Sequence, residues 1–177
     1  WERLALTRAR VIAGAPGIRT KVDASIRVAL TAEHDRAKVL ADVCDMRGRL
    51  DRERPGKSVW DLKEAKGGLF DVEFVAQGLQ LVSAPQMQEM RRTNTLEALR
   101  RLHAAGILAD EDARILDEAL GLYQRVIQIL RLTVGEAFVP AESSPSLRQL
   151  VASIARVENF EAVEAELAAH EVKVREV

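Results

Sequence analysis

The residues with the most chemical potential in this chain lie close together. Positions 60–75 read Trp-Asp-Leu-Lys-Glu-Ala-Lys-Gly-Gly-Leu-Phe-Asp-Val-Glu-Phe-Val. Adjacent glycines reach backbone angles that side chains forbid, and Gly67-Gly68 stands just ahead of an apolar helical pattern. Unshielded amides at a helix start, together with the helix dipole, make a corner that favours anions. Lys63 and Lys66 add positive charge beside it, and Asp71 and Glu73 fall in the first turn, pointing to different faces. Two readings of this arrangement stay open. In one, the glycines reverse the chain, Asp71 stabilises the first turn and Lys63 pairs with an acid. In the other, the corner touches a phosphate or a neighbouring domain.

Other reactive side chains are more ordinary. The basic run Arg47, Arg49, Arg52 and Arg54 either faces phosphates or a target protein, or forms a solvated face balanced by Asp45, Asp51 and Glu53. Arg91-Arg92 and Arg100-Arg101 read as surface charge. His34, His103 and His170 lack metal-ligand spacing and are expected to be structural or exposed, so no metal site is expected. Cys44 has no paired histidine and is expected in the core, as is Tyr123.

These groups must be carried by helices. Apolar residues recur at helical spacing almost throughout, and strand-like alternation is hard to find. Aromatics make up only 4% of the 177 residues, so the core must be aliphatic, which favours packed helices over a sheet. The first helix is expected over Trp1 to Ala13, stopped by Gly14-Ala15-Pro16-Gly17. A second carries Ile18, Val22, Ile26 and Ala29 on one face. A third runs from Asp35 to Glu53 with Val39, Val43, Met46 and Leu50 in register. The pattern fails between Ser58 and Gly68, where Trp60 to Lys63 is expected to be extended. A helix from Leu69 to Pro85 is apolar on several sides and should be the most buried.

Asn94 and Glu97 make a capping box for a helix over Thr95 to Ala105, closed by Gly106. Asp110 is expected to cap the longest helix, which reaches Val134. Gly135 to Pro145 reads as a loop. A short helix over Ser146 to Val157 precedes a last one over Phe160 to Glu176, whose seam is Phe160, Val163, Leu167, Val174 and Val177, with His170 in the same register. The expected fold is all-α, a single domain over 1–177 built as a bundle of about seven or eight helices with one irregular Gly-Gly loop.

Bulk properties narrow the function classes. Hydrophobic residues at 47% and charged residues at 30% make a globular balance. The formal charge is −1, from 26 basic and 27 acidic side chains, so the basic footprint of a nucleic-acid binder is absent. No apolar run approaches the ~20 residues that span a bilayer, and the start at Trp1-Glu2-Arg3 does not read as a signal peptide. With a single cysteine, the chain is expected to be cytoplasmic. Opening in mid-pattern without Met, it reads as a piece of a longer protein.

The pattern Asp-Leu-Lys, three residues, Gly-Gly, two residues, Asp-Val-Glu-Phe resembles the signature of the helical domain of glutamine synthetase adenylyltransferases. Trp1-Glu2 with Ala5 to Val11 resembles the segment after that family's nucleotidyltransferase fold. Met46-Arg47 and Thr93 to Leu108 resemble further positions. The likeness is dense from Trp1 to Ile107 and looser to Val177. Asp71 after Gly67-Gly68-Leu69-Phe70 resembles the adenylylating, C-terminal half rather than the half that removes AMP.

That resemblance implies an accessory and regulatory domain of an enzyme that moves AMP from ATP onto a tyrosine of glutamine synthetase and reverses the reaction. ATP and Mg would be bound mainly by the nucleotidyltransferase domain, whose Gly-Ser…Asp-x-Asp motif is absent here, so the isolated chain is expected to be inactive. Implied partners are glutamine synthetase, the PII signalling protein and glutamine as effector, with neither nucleic acid nor membrane. The implied cleft-facing or phosphate-proximal residues are Lys63, Gly67, Gly68, Asp71, Glu73 and Arg47. The alternatives are a pure interaction module for PII or glutamine synthetase, the equivalent domain of the deadenylylating half, or an unrelated helical scaffold.

Overall fold

A computed structural model describes residues 2–85, 91–134 and 138–177. All regular structure among them is helical. The helices are α1 (Glu2–Leu6), α2 (Pro16–Thr31), α3 (Arg36–Glu53), α4 (Leu69–Ser83), α5 (Thr95–Ala104), α6 (Asp110–Thr133), α7 (Pro145–Ala155) and α8 (Phe160–Glu176), with a 3-10 turn at Pro140–Glu142. The chain divides into two compact units, Trp1–Leu50 with Glu73–Ala113, and Asp51–Val72 with Arg114–Val177.

In the first unit, α1 packs on α2. Leu4, Ile26, Leu30, Leu81 and Ala84 form a buried cluster flanked by Val39, Val43 and Met46 of α3. The α3 register therefore faces the core, yet none of its residues is fully buried. α4 has no exposed residue along its length, in keeping with its apolar pattern. Asn94 caps α5 by accepting the Glu97 amide at 3.1 Å, satisfying one of the orphan donors of a helix start.

Four local expectations fail in this unit. α1 stops at Leu6 instead of Ala13, because Thr7 donates both its hydroxyl (2.7 Å) and its amide (3.2 Å) to the Leu4 carbonyl and tightens the last turn. Trp1 itself lies outside the described residues. On α2 only Ile26 and Leu30 are buried, while Ile18 is 62% and Val22 41% exposed. Cys44 is exposed on α3, not in the core. Asp110 lies inside α6; its carboxylate takes His103 Nε2 at 2.8 Å, and the helix begins from the Ala109 carbonyl, which accepts the Ala113 amide.

In the second unit, α6 buries Leu116, Ala119, Leu120, Leu122, Tyr123, Val126 and Leu130. α7 and α8 pack against each other. Each is capped by a side chain: Ser144 accepts the Leu147 amide at 3.2 Å and Asn159 the Ala162 amide at 2.8 Å. α8 buries Phe160, Val163, Leu167, His170 and Val174, the alternating three-four spacing of a helix seam, while Val177, expected on it, is exposed beyond the last turn. The beginning of the loop after α6, Gly135 to Ala137, lies outside the described residues.

Candidate functional site

Residues 54–68 join α3 to α4 without regular helix or strand, and the sequence-predicted corner is at their end. Trp60 to Lys63 is not extended; it is part of a series of turns. Asp61 organises the first of these, its carboxylate accepting the amides of Lys57 at 2.6 Å and Ser58 at 3.1 Å. The Ala65 amide returns to the Asp61 carbonyl at 2.9 Å. Gly56 rests backbone against backbone on Ala65, where an added Cβ would stand 2.6 Å from the Ala65 Cα.

Gly67 is the tightest point. Its φ is +83°, and a Cβ there would lie 1.9 Å from the Glu171 carbonyl oxygen of α8. Glycine is required on both counts, conformational and steric. The amide of Gly67 donates to Asp71 Oδ2, and its carbonyl accepts the Tyr123 hydroxyl at 2.9 Å. The next amides are occupied as well: Gly68 on Ala65 O (2.8 Å), Leu69 on Leu62 O (2.8 Å), Phe70 on Lys63 O (3.1 Å) and Asp71 on Gly68 O (3.0 Å). The amides are thus not unshielded, as the sequence suggested, and this turn has no row of free N–H groups to cradle an anion. What closes it is Asp71 from below and the backbone of α8 from above.

The remaining candidates occupy different surroundings. Lys63 is half-buried and its ammonium closes no ion pair among the described residues. Lys66 is exposed and pairs with Asp51 at 3.1 Å. Glu73, in the first unit, holds Arg8 at 2.9 Å. Arg47 is half-buried and already engaged, while Arg49 pairs with Asp45 at 2.6 Å on the same helix face. The structure thus brings Gly67, Gly68 and Asp71 together in one turn and leaves Glu73 and Arg47 in the other unit.

Sequence reasoning missed three contributors. Tyr123 was read as core, and it is fully buried, but it also holds the turn through its hydroxyl. Burial, reinforced by the carboxylates of Glu171 and Asp71, pushes its phenol well above the ordinary range, so it is a neutral donor. Glu171 is the second; burial raises its carboxyl, with Arg175 opposing, and Oε1 has no hydrogen-bond partner. Beside it His170 is buried with Nδ1 unpartnered, and burial lowers its pKa despite Glu166 nearby. The third is an aromatic cluster. Trp60 stacks on Phe160 (5.0 Å between centroids, 9° between planes) and meets Phe138 edge-on at 4.7 Å. Its Nε1 donates to Glu164 at 2.7 Å. Arg148 covers the Phe160 ring at 5.4 Å. Only the spacing of Phe160 on its helix hinted at this group.

Among the described residues no three His, Cys, Asp or Glu side chains are placed to share a metal ion. No helix among them is long and apolar enough to cross a membrane.

The described residues make an all-helical fold in which a glycine turn is held by α6 and α8. The family can be named. The chain belongs to the family described as GlnD PII-uridylyltransferase, whose model matches residues 37–177. It is also similar over all 177 residues to proteins named bifunctional glutamine synthetase adenylyltransferase/adenylyl-removing enzyme. Those of Rhodopseudomonas palustris and Xanthobacter autotrophicus are 40% identical, and that of Bradyrhizobium diazoefficiens is 36% identical. The match covers 100% of this chain and 18% of each of these relatives.

Proposed function

We propose that this chain is the helical accessory and regulatory domain of an enzyme that transfers AMP from ATP to a tyrosine of glutamine synthetase and removes it again. The observation that carries the proposal is the end-to-end match, at 36–40% identity, to proteins bearing both activities in their name. The family description points to uridylyl transfer to PII, a related nucleotidyl transfer. Identity along the entire chain favours the adenylyl reaction.

Nucleotidyl transfer is a matter of positioning and charge neutralisation by carboxylate-held divalent ions. ATP and Mg are bound by the rest of the polypeptide in this reading. The domain's part is to hold a rigid wall and docking surface beside that chemistry, with PII and glutamine acting through the helices. In this reading Gly67, Gly68 and Asp71 fix the turn, and Lys63, half-buried and without an acidic partner among the described residues, is the side chain available to a nucleotide phosphate or to the neighbouring domain. Glu73 and Arg47, in the first unit, are separate candidates for contact with the neighbouring domain. Asp71 after Gly67-Gly68-Leu69-Phe70 favours the adenylylating half, and the compartment is the cytoplasm.

Radiolabelled ATP, Mg and glutamine synthetase test this with the intact enzyme and with the 177-residue chain. The intact enzyme labels glutamine synthetase and the chain alone does not. Lys63→Ala in the intact enzyme depresses transfer and leaves the melting temperature unchanged. Labelling by the chain alone would remove the accessory role, and transfer of UMP to PII without AMP transfer would replace the adenylyl reading. Lys63 leaves the site if its variant keeps full kinetics.

A further inference from the structure

The largest fully buried side chain of the second unit belongs to Tyr123, in the middle of α6. Its ring alone would serve the core, and a phenylalanine would fill nearly the same space. The hydroxyl is an addition, and taking one out of water costs free energy unless it finds a partner. That partner is the Gly67 carbonyl at 2.9 Å, 56 residues away in the chain. Burial holds the phenol protonated, so the bond runs from Tyr123 to the turn and never the reverse.

What depends on this bond lies on the far side of the two glycines. The Leu69 amide donates to the Leu62 carbonyl at 2.8 Å, and the Phe70 amide to the Lys63 carbonyl at 3.1 Å. Leu62 is buried, so the main chain entering Lys63 is anchored in the core. From the Tyr123 hydroxyl to the Lys63 backbone the path runs through Gly67, the short segment to Phe70 and one hydrogen bond. The Lys63 ammonium has no ion-pair partner among the described residues to hold it, so its place is set from its own main chain.

We infer that Tyr123 is a positioning residue: its hydroxyl fixes the Gly67 turn and, through that turn, the place from which Lys63 reaches a nucleotide phosphate. What Lys63 touches is taken from the transferase reading; the path that ties it to Tyr123 is independent of that reading. Without the hydroxyl, the Gly67 carbonyl is left unpaired in the core and the turn shifts to find another donor. A shift of about 1 Å in a group that must meet a phosphate costs up to about a hundredfold in rate.

Tyr123→Phe, Lys63→Ala and the double change, each made in the intact enzyme and assayed for AMP transfer to glutamine synthetase, test this. Tyr123→Phe lowers kcat about tenfold and moves the KM for glutamine synthetase by no more than about twofold. In the Lys63→Ala background the same change has no further effect, since the group it positions is gone; a merely structural role lowers both backgrounds alike. Hydrogen exchange of the intact enzyme, followed by mass spectrometry, reads the geometry directly. Peptides covering Leu62 to Val72 exchange about tenfold faster in Tyr123→Phe while α7 keeps its normal rate, which separates a loosened turn from a loosened fold. Full transfer by Tyr123→Phe, equal losses in both Lys63 backgrounds, or unaltered exchange over Leu62 to Val72 would each overturn the positioning role and leave the Lys63 reading standing. Full transfer by Lys63→Ala would remove that reading, and the positioning role with it.

Discussion

Replacing Gly67 with alanine attacks the closest approach in the second unit. An added methyl would begin 1.9 Å from the Glu171 carbonyl oxygen, while ordinary contact starts near 3.4 Å, so turn and helix must separate by 1.5 Å (3.4 − 1.9). Holding an L-residue at φ +83° adds about 1–2 kcal/mol. A separation of that size also breaks the 2.9 Å bond from the Tyr123 hydroxyl and leaves a buried donor unpaired, a further ~1–3 kcal/mol. The sum is about 2–5 kcal/mol, a large share of the roughly 5–15 kcal/mol that holds a domain together. Melting should fall on the order of 10 °C. Gly106 supplies an internal control: its φ is +70°, but no atom lies within 4 Å of the same added methyl. Gly106→Ala should therefore cost only about 1–2 kcal/mol, the conformational part alone. Urea denaturation followed by circular dichroism measures both variants. If Gly67→Ala is no more destabilised than Gly106→Ala, the clamp between turn and α8 does not exist as described.

Two further expectations concern the same unit. Trp60→Phe loses the bond to Glu164, about 1.5–3 kcal/mol for a hydrogen bond to a charged group; a double-mutant cycle with Glu164→Ala should recover that coupling, and a cycle energy near zero would dismiss it. His170 and Glu171 should pull stability in opposite directions with pH. Burial lowers the His170 pKa, so the unfolded chain takes up the proton first and stability falls as pH drops through about 6.5; His170→Leu should flatten that slope in urea midpoints between pH 7 and 5. Burial raises the Glu171 carboxyl, so its contribution is full in acid and is lost as pH rises through its folded value; Glu171→Gln should be the more stable protein at pH 7, and unchanged midpoints would show that the carboxyl is solvated.

Most helices could be read from the chain because their signals are local. Asn94 and Gly106 act within a few residues of where they stand, and the α8 seam is visible as a repeat. Errors arose where distant segments decide. Nothing near Ile18 or Val22 reveals that their face of α2 stays largely open, and the Cys44 position is compatible with either side of a helix that buries none of its residues fully. The candidate site shows the same division. The need for glycine at position 67 was legible, and so was an acid in the first turn of α4. The use of the amides was not, since the surfaces that seal the turn come from Tyr123 and Glu171, far along the chain. A hydrogen-bond donor can be called free only when its surroundings are known.

Irregular connections are usually where lineages gain and lose residues, because a loop in solvent tolerates changes of length. The stretch from Gly56 to Gly68 cannot behave that way. Gly56 is stacked on Ala65, Gly67 is pressed to α8, and each following amide is matched to a particular carbonyl. One inserted residue would put every one of those pairings out of step at once. Natural length variation in this chain, and any site chosen for grafting a label or a foreign peptide, belongs instead around Gly106, where there is open space to receive it.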